Sequence, residues 1–258
     1  MKAVIMAGGL GTRLSEETSI RPKPMVEIGG KPILWHIMKT YSEYGINDFL
    51  ICCGYKHEII KEYFMNYYSH TADITVDLAA RDVTYHNSRA EPWRITLVDT
   101  GLNTQTGGRL KRVRAYLENE KAFCMTYGDG VGNIDIKALI RFHEQHGKLA
   151  TVTAVYPDSR FGALEIEGDQ VLSFKEKPAF ADGKINGGYF VLSPKVIDLV
   201  RDDNTAFEHR PLAELARRNE LMAYKHEGFW KPMDTLRDKV QLEKMWDAGE
   251  APWKIWED

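Results

Sequence analysis

A short apolar run, Ala3 to Ala7, gives way to Gly8-Gly9-Leu10-Gly11-Thr12-Arg13-Leu14, and Arg21 and Lys23 follow soon after. Glycines that follow a strand let backbone amides approach a polyphosphate, because no Cβ stands in the way. Two known designs for such a ligand can be tested directly. The dinucleotide fingerprint requires a third glycine, and the chain has Leu14 there. The P-loop requires Ser or Thr after Gly-Lys, and the pair Gly30-Lys31 is followed by Pro32. Neither fits. The glycines remain suited to another kind of anion site. A single Arg or Lys is by default a solvated surface charge. Lys23 is bracketed by Pro22 and Pro24, which remove backbone amides and hold the segment extended, a rigid mount for a cation with a fixed target. That favours ligand roles for Arg13 and Lys23, and more weakly for Arg21.

Carboxylates occur in two suggestive places. Asp129, in Tyr127-Gly128-Asp129-Gly130, follows a buried strand at the edge where α/β sheets place ligands. It reads equally well as a ligand to a phosphate-held metal or as an Asp-Gly turn. Asp234 precedes a helix for which Thr235 is the better cap, with Asp238 three residues on. Asp234 is left without a structural task. Two carboxylates from distant loops are what Mg²⁺ bridging substrate phosphates usually takes from protein.

Three further stretches are ambiguous from their residues alone. Phe174-Lys175-Glu176-Lys177-Pro178 reads as a charged edge strand. Asn186-Gly187-Gly188 opens a strand where glycines let a ring approach the backbone, and Asn186 suits either a hydroxyl or a turn. Thr104 to Leu110 contains Thr106, Gly108 and Arg109. With Lys111, Arg112 and Arg114, Arg109 resembles a basic helix start, poorly matched to the dipole and so pointing to an acceptor nearby.

The elements that position these residues alternate. Buried strands are expected in MKAVIMAGG, NDFLICCGY, AFCMTYGDG and LATVTAVYP, with helices in KPILWHIMKTYSEYG, HEIIKEYFMNYYSH and IDIKALIRFHEQHG between them. Such alternation predicts an α/β doubly wound, mostly parallel sheet, here as one domain over residues 1–258. Residues 72–100 read as a β insertion with its tip at Asn87-Ser88-Arg89. Residues 161–178 read as a hairpin turning at Glu167-Gly168-Asp169, within a region extending to 190. Trp246, Trp253 and Trp256 read as packing or interface.

Composition narrows the class. With 34 basic against 37 acidic residues the net charge is −3, which argues against nucleic acid as a partner. No stretch is long and apolar enough for a membrane span, and the first apolar run is too short for a signal peptide. Cys52, Cys53 and Cys124 lack metal-ligand spacing and lie in apolar runs, so buried reduced thiols and a cytoplasmic setting are expected.

GGLGTRL followed by RPKPM resembles the signature of the nucleotide-diphospho-sugar pyrophosphorylases, the sugar-1-phosphate nucleotidyltransferases. The SEET that replaces the more common R-x-P-x-T, together with TGGRL in place of a Gln-containing base loop, is similar to the cytidylyltransferase branch. The resemblance extends from GGLGTRL to GFWKPMDTLRDK. It implies a Rossmann-like nucleotide-diphospho-sugar transferase fold, CTP and glucose 1-phosphate as substrates, and CDP-glucose and pyrophosphate as products. It pairs Asp129 with Asp234 on Mg²⁺ and assigns Arg13, Lys23, the Gly8 to Thr12 amides and Gly128 to the nucleotide. Glu176 and Lys177 are implied for the sugar and its phosphate, with Asn186 and Gly188 beside them. Arg109 is expected to donate to the cytosine acceptor that uracil lacks. The same resemblance implies a homo-oligomer, hexameric in this branch, with 72–100 as a candidate arm, and a role ahead of the dideoxyhexoses of surface polysaccharide such as O-antigen and lipopolysaccharide. The rivals are a thymidylyl- or uridylyltransferase, a catalytically silent nucleotide-sensing relative, and an NAD-dependent oxidoreductase disfavoured by the missing third glycine.

Overall fold

The computed structural model describes residues 1–157, 163–167, 170–175 and 183–257. Seven strands make the central sheet: β1 (Ala3–Ala7), β2 (Asp48–Cys53), β3 (Arg94–Asp99), β4 (Phe123–Tyr127), β5 (Ala150–Val155), β6 (Ile185–Leu192) and β7 (Leu221–Lys225). Their order is β7-β5-β6-β4-β1-β2-β3. β1 pairs in parallel with β2 and β4, β2 with β3, and β5 with β7, while β6 runs against both β4 and β5. The sheet is thus mostly parallel with one reversed strand.

The apolar runs form strands because both faces are covered. Side chains alternate across a strand, so Ala3, Ile5 and Ala7 enter one core with Phe49, Ile51 and Cys124. Val4 and Met6 enter the opposite core with Leu50, Cys52 and Phe123. Helix α1 (Ile33–Glu43) buries Ile33, Leu34, Ile37, Met38 and Tyr41 against the first face. Helix α2 (His57–Met65) follows β2, with a separate short turn at Tyr67–Thr71. Helix α3 (Thr106–Arg112) covers the second face through Leu110. Helix α4 (Ile136–His146) begins where the Asp135 carboxylate accepts from Ala138 N and ends at Gly147 in the left-handed region. Helix α5 is Arg210–Arg217, and helix α6 (Leu236–Asp247) carries the expected capping box of Thr235 and Asp238.

One expectation changes and a second holds where it is described. Residues 72–100 divide into a hairpin, Asp73–Asp77 with Asp82–His86, and β3, an edge strand of the main sheet. The hairpin turns at 78–81, where the Asp77 carboxylate accepts from Ala79 N and Ala80 N, so Asn87-Ser88-Arg89 is its exit and not its tip. The 161–178 hairpin is present as Ala163–Glu167 paired with Gln170–Lys175, and its turn lies outside the described residues.

Trp253 and Trp256 are buried and surround His36 together with Trp246. These tryptophans are packing within the chain. His36 Nε2 donates to Ile28 O at 2.8 Å, and burial pulls its pKa down to about 4. The three cysteines are free and buried, and burial pushes the thiols of Cys53 and Cys124 up to about 12. No helix among the described residues is long and apolar enough to cross a membrane.

Candidate active site

A cavity of about 590 Å³ opens at the carboxyl ends of β1 and β4. It is lined by the glycine-rich loop, Arg13, Lys23, Asp129 and Asp234 at one end, and by Thr106, Tyr127, Asn186 and Glu208 elsewhere.

The loop leaves β1 at Gly8 and turns through Gly11 into a 3₁₀ turn, Thr12–Leu14, anchored by the fully buried Leu14. SEET is the short helix Ser15–Thr18, whose Thr18 hydroxyl donates to Gly11 O and Leu14 O. Pro22 is extended, but Lys23–Met25 close a 3₁₀ turn, so the mount for Lys23 is tighter than the extended segment its prolines predict. Lys23 is buried, and its ammonium donates to Asp129 Oδ2 at 2.7 Å and to Asp234 Oδ1 at 2.8 Å. Burial alone lowers an ammonium's pKa; the two carboxylates more than offset it and hold Lys23 above its ordinary value. Arg13 is largely exposed and donates to Asp234 Oδ2 at 2.8 Å.

Sequence places Asp129 and Asp234 far apart, and a small ribbon joins them. Gly130–Gly132 pairs antiparallel with Trp230–Pro232, and Met233 N donates to Asp129 O at 2.8 Å. Asp238 then fixes the approach to α6 by accepting from Asp234 N, Thr235 N and the Thr235 hydroxyl. Asp234 thereby sits ahead of the cap with both carboxylate oxygens turned to cations. Two hard oxygen donors from separate loops, beside an amide-rich bend, fit a Mg²⁺ that takes its other ligands from phosphates and water. Among the described residues no larger cluster of acidic, His or Cys side chains competes for a metal.

Arg109 occupies a different position from the one its neighbours suggest. Helix α3 starts at Thr106, so Arg109, Lys111 and Arg112 lie in its last turn, where cations suit the dipole. The expected mismatch at a helix start does not exist. The buried guanidinium reaches back across three strand ends. Nη1 donates to Cys53 O, Thr100 Oγ1 and Gly101 O, and Nη2 donates to Gly8 O and Leu102 O. Among the described residues only its Nε–H is uncommitted, so that group alone is left for the direct donation to cytosine expected of Arg109. A Cβ on Gly8 would stand 2.1 Å from Arg109 Nη1. The first glycine of the loop therefore makes room for this clasp as well as for any ligand.

On the far wall, Asn186 and Gly188 do come to the cavity. Gly188 has φ +78, a backbone geometry that favours glycine, and a Cβ there would meet Tyr127 Cδ2 at 2.6 Å. Gly188 N donates to Asn186 Oδ1 at 2.8 Å, and the Asn186 side chain lies beside Tyr127. Tyr127 in turn donates to Glu208 Oε1 at 2.5 Å, and Thr106 donates to Glu208 Oε2 at 2.6 Å. Burial, and then the neighbouring Glu208, raise the Tyr127 pKa. Glu208 was not foreseen; in AFEHRPL it is an ordinary charged residue ahead of a Pro-started helix, and only the fold brings it to Tyr127. Glu176 and Lys177, expected at the sugar, lie outside the described residues.

The family model for nucleotidyl transferases matches residues 2–248. A glucose-1-phosphate cytidylyltransferase of Salmonella typhi is 62% identical over 257 residues, covering 100% of both chains. The catalytic subunit beta of a Xenopus tropicalis mannose-1-phosphate guanylyltransferase is 30% identical over 244 residues, 92% of this chain and 62% of that one. Among solved structures, a UDP-glucose pyrophosphorylase complexed with UDP-glucose superposes with a TM-score of 0.68 at 17% identity, covering 96% of this chain and 98% of that one. At that identity the likeness concerns the fold.

Proposed function

The chain belongs to the nucleotidyl transferase family, and from that premise we propose that it transfers CMP from CTP to α-D-glucose 1-phosphate, releasing pyrophosphate and forming CDP-glucose. The observation that carries the reading is the convergence of Lys23, Arg13, Asp129 and Asp234 at the mouth of the glycine-rich loop. The full-length likeness to the Salmonella enzyme supports the choice of CTP and glucose 1-phosphate.

The reaction is an in-line displacement: an oxygen of the sugar phosphate bonds to the α-phosphorus as the bond to the β-phosphate oxygen breaks, and pyrophosphate leaves with that electron pair. Such transfers ask the protein mainly for positioning and charge neutralisation. Amides of Gly8 to Thr12 and the exposed Arg13 side chain meet the departing pyrophosphate. Lys23 places a fixed positive charge beside the α-phosphate. Asp129 and Asp234 are the residues that would hold Mg²⁺, which supplies charge neutralisation on the phosphates when bound. Arg109 keeps the Gly8, Gly101 and Leu102 carbonyls in place and so shapes the nucleotide end, with Thr106 and Gly108 on the same helix. Gly128 lets Pro24 pack closely behind Lys23. Asn186 and Gly188 line the sugar end, where Glu176 and Lys177 are proposed to act.

The hairpin 73–86 supports a homo-oligomer. Ile74 pairs with Tyr85 and Val76 with Val83, placing four exposed apolar side chains on one face. An exposed apolar ribbon of this kind suits a second copy of the chain. Deleting it should lower the native mass in solution; an unchanged mass removes it from assembly. Buried reduced thiols and a sugar-nucleotide product suit the cytoplasm and the supply of surface polysaccharide synthesis.

The test is to incubate the protein with Mg²⁺, glucose 1-phosphate and each nucleoside triphosphate in turn. Pyrophosphate release with CTP is expected. Release with dTTP or UTP but not CTP would assign the chain to another branch, and release with none would favour a silent, nucleotide-sensing relative.

A further inference from the structure

Glu208 is the point where a directed chain of hydrogen bonds ends. The Asn186 side chain lies beside Tyr127, and Tyr127 donates to Glu208 Oε1. From the other side, Phe207 N donates to Thr106 Oγ1 at 2.9 Å and Thr106 donates to Glu208 Oε2. Each hydroxyl has spent its single proton on the carboxylate, and that of Thr106 already accepts a bond of its own. The two O–H···O distances, 2.5 and 2.6 Å, are those of charge-assisted bonds, which hold the carboxylate in one orientation.

A carboxylate offers roughly four acceptor positions, and the two hydroxyls use one on each oxygen. Glu208 lines the cavity, so a carboxylate with unused acceptor capacity stands at the wall of the space a ligand enters. No cation pairs with it among the described residues. The two ends of the cavity therefore differ in chemistry. Its Arg13 and Lys23 end sets cations, paired with Asp129 and Asp234, beside the amide-rich loop, and its Glu208 end carries a carboxylate that takes donors. On a sugar nucleotide and a sugar phosphate, the most numerous neutral donors are the ring hydroxyls, beside the single amino group of the base.

We propose that Glu208 is a specificity-determining residue whose carboxylate, braced by Thr106 and Tyr127, accepts hydrogen bonds from the hydroxyls of a substrate sugar ring. The inference rests on the nucleotidyl transfer reading of the cavity. Its ligand chemistry, adjacent hydroxyl donors, is shared by the ribose of CTP and the hexose of glucose 1-phosphate, and the experiment separates them.

Steady-state kcat/KM is measured for the wild type and Glu208→Gln with CTP, 2′-deoxy-CTP and 3′-deoxy-CTP, and with glucose 1-phosphate and its 2-, 3-, 4- and 6-deoxy analogues. One hydrogen bond to a charged group predicts that the wild type loses roughly 10- to 100-fold on the analogue lacking the recognised hydroxyl. The variant should lose a similar factor on the full substrate but only about threefold or less on that analogue, because the partner is already missing. Coupling on a CTP analogue identifies ribose, and coupling on a hexose analogue identifies glucose. Equal losses of the variant on every substrate would overturn the proposal, as a brace alone predicts. Glu208→Asp takes the same comparison if the Gln variant does not fold. A wild type indifferent to every deletion overturns the proposal without any variant. Absence of wild-type turnover with any nucleotide instead removes the cavity reading on which the proposal rests.

Discussion

Lys23 Nζ and Asp234 Oδ1 stand 2.8 Å apart although 211 residues separate them in the chain. Asp129 closes the same ammonium from the other side at 2.7 Å, and Arg13 takes the second oxygen of Asp234. The cations and carboxylates of the site thus form one network, in which each residue orients the next.

Removing Lys23 leaves two half-buried carboxylates facing each other and takes a fixed charge from the α-phosphate. Lys23→Met should lower kcat by roughly 10²- to 10³-fold, the scale of a lost electrostatic stabiliser, with a smaller change in KM. A loss confined to KM would show that Lys23 serves ground-state binding only.

Asp129→Asn and Asp234→Asn each remove one charged oxygen ligand from the expected Mg²⁺ site. Half-maximal pyrophosphate release should need about tenfold more Mg²⁺ or beyond in either variant, by analogy with the cost of disturbing a metal site. An unchanged Mg²⁺ requirement in both would take these carboxylates out of metal binding.

Arg109→Lys cannot reproduce a planar fork that spans three strand ends. Several carbonyls lose their donor, and each buried one costs about 1–3 kcal/mol when unsatisfied. Urea unfolding should show a clear loss of stability, and KM for the nucleotide should rise. Gly8→Ala, which drives a Cβ into the guanidinium, should share both effects. A Gly8→Ala protein with wild-type stability would mean that the clasp relaxes freely.

His36 is buried among tryptophans with its pKa lowered to about 4, and His143, packed on Thr151, is lowered to about 4 as well. The unfolded chain binds these protons more readily than the folded one, so folding stability falls as pH drops. Losses start near the unfolded value of 6.5 and level off only below about 4. For His36 the shift amounts to on the order of 3 kcal/mol. Denaturant melts at pH 7, 6 and 5 should therefore show steadily lower midpoints, in a window above most carboxylate titrations. Constant midpoints across that window would contradict the burial of neutral histidines.

Elements with a strong local signal were legible in the chain itself. β1, β2, β4 and β5 follow from apolar runs, α4 from the helical spacing of IDIKALIRFHEQHG, and the cap of α6 from Thr235 and Asp238. Lys23, Arg13 and Asp129 stand out because glycines and prolines announce special backbone, and Asp234 because Thr235 takes the cap and leaves it without a task. What stayed hidden depends on long-range contact. Nothing local to Arg109 indicates that it crosses to Gly8 and Cys53, and its apparent place at a helix start followed from missing Thr106 as the true start. Glu208 carries no motif, and its task appears only where Tyr127 and Thr106 meet it. β3 was merged with the hairpin before it because a polar stretch, Asn87-Ser88-Arg89, looks like a turn but is only the exit from one.

The account is tested most directly by following ³¹P resonances in a mixture of the protein, Mg²⁺, CTP and glucose 1-phosphate. Loss of both substrates should be matched by equal amounts of CDP-glucose and pyrophosphate. Conversion of CTP to CDP and inorganic phosphate, or persistence of both substrates, would contradict it.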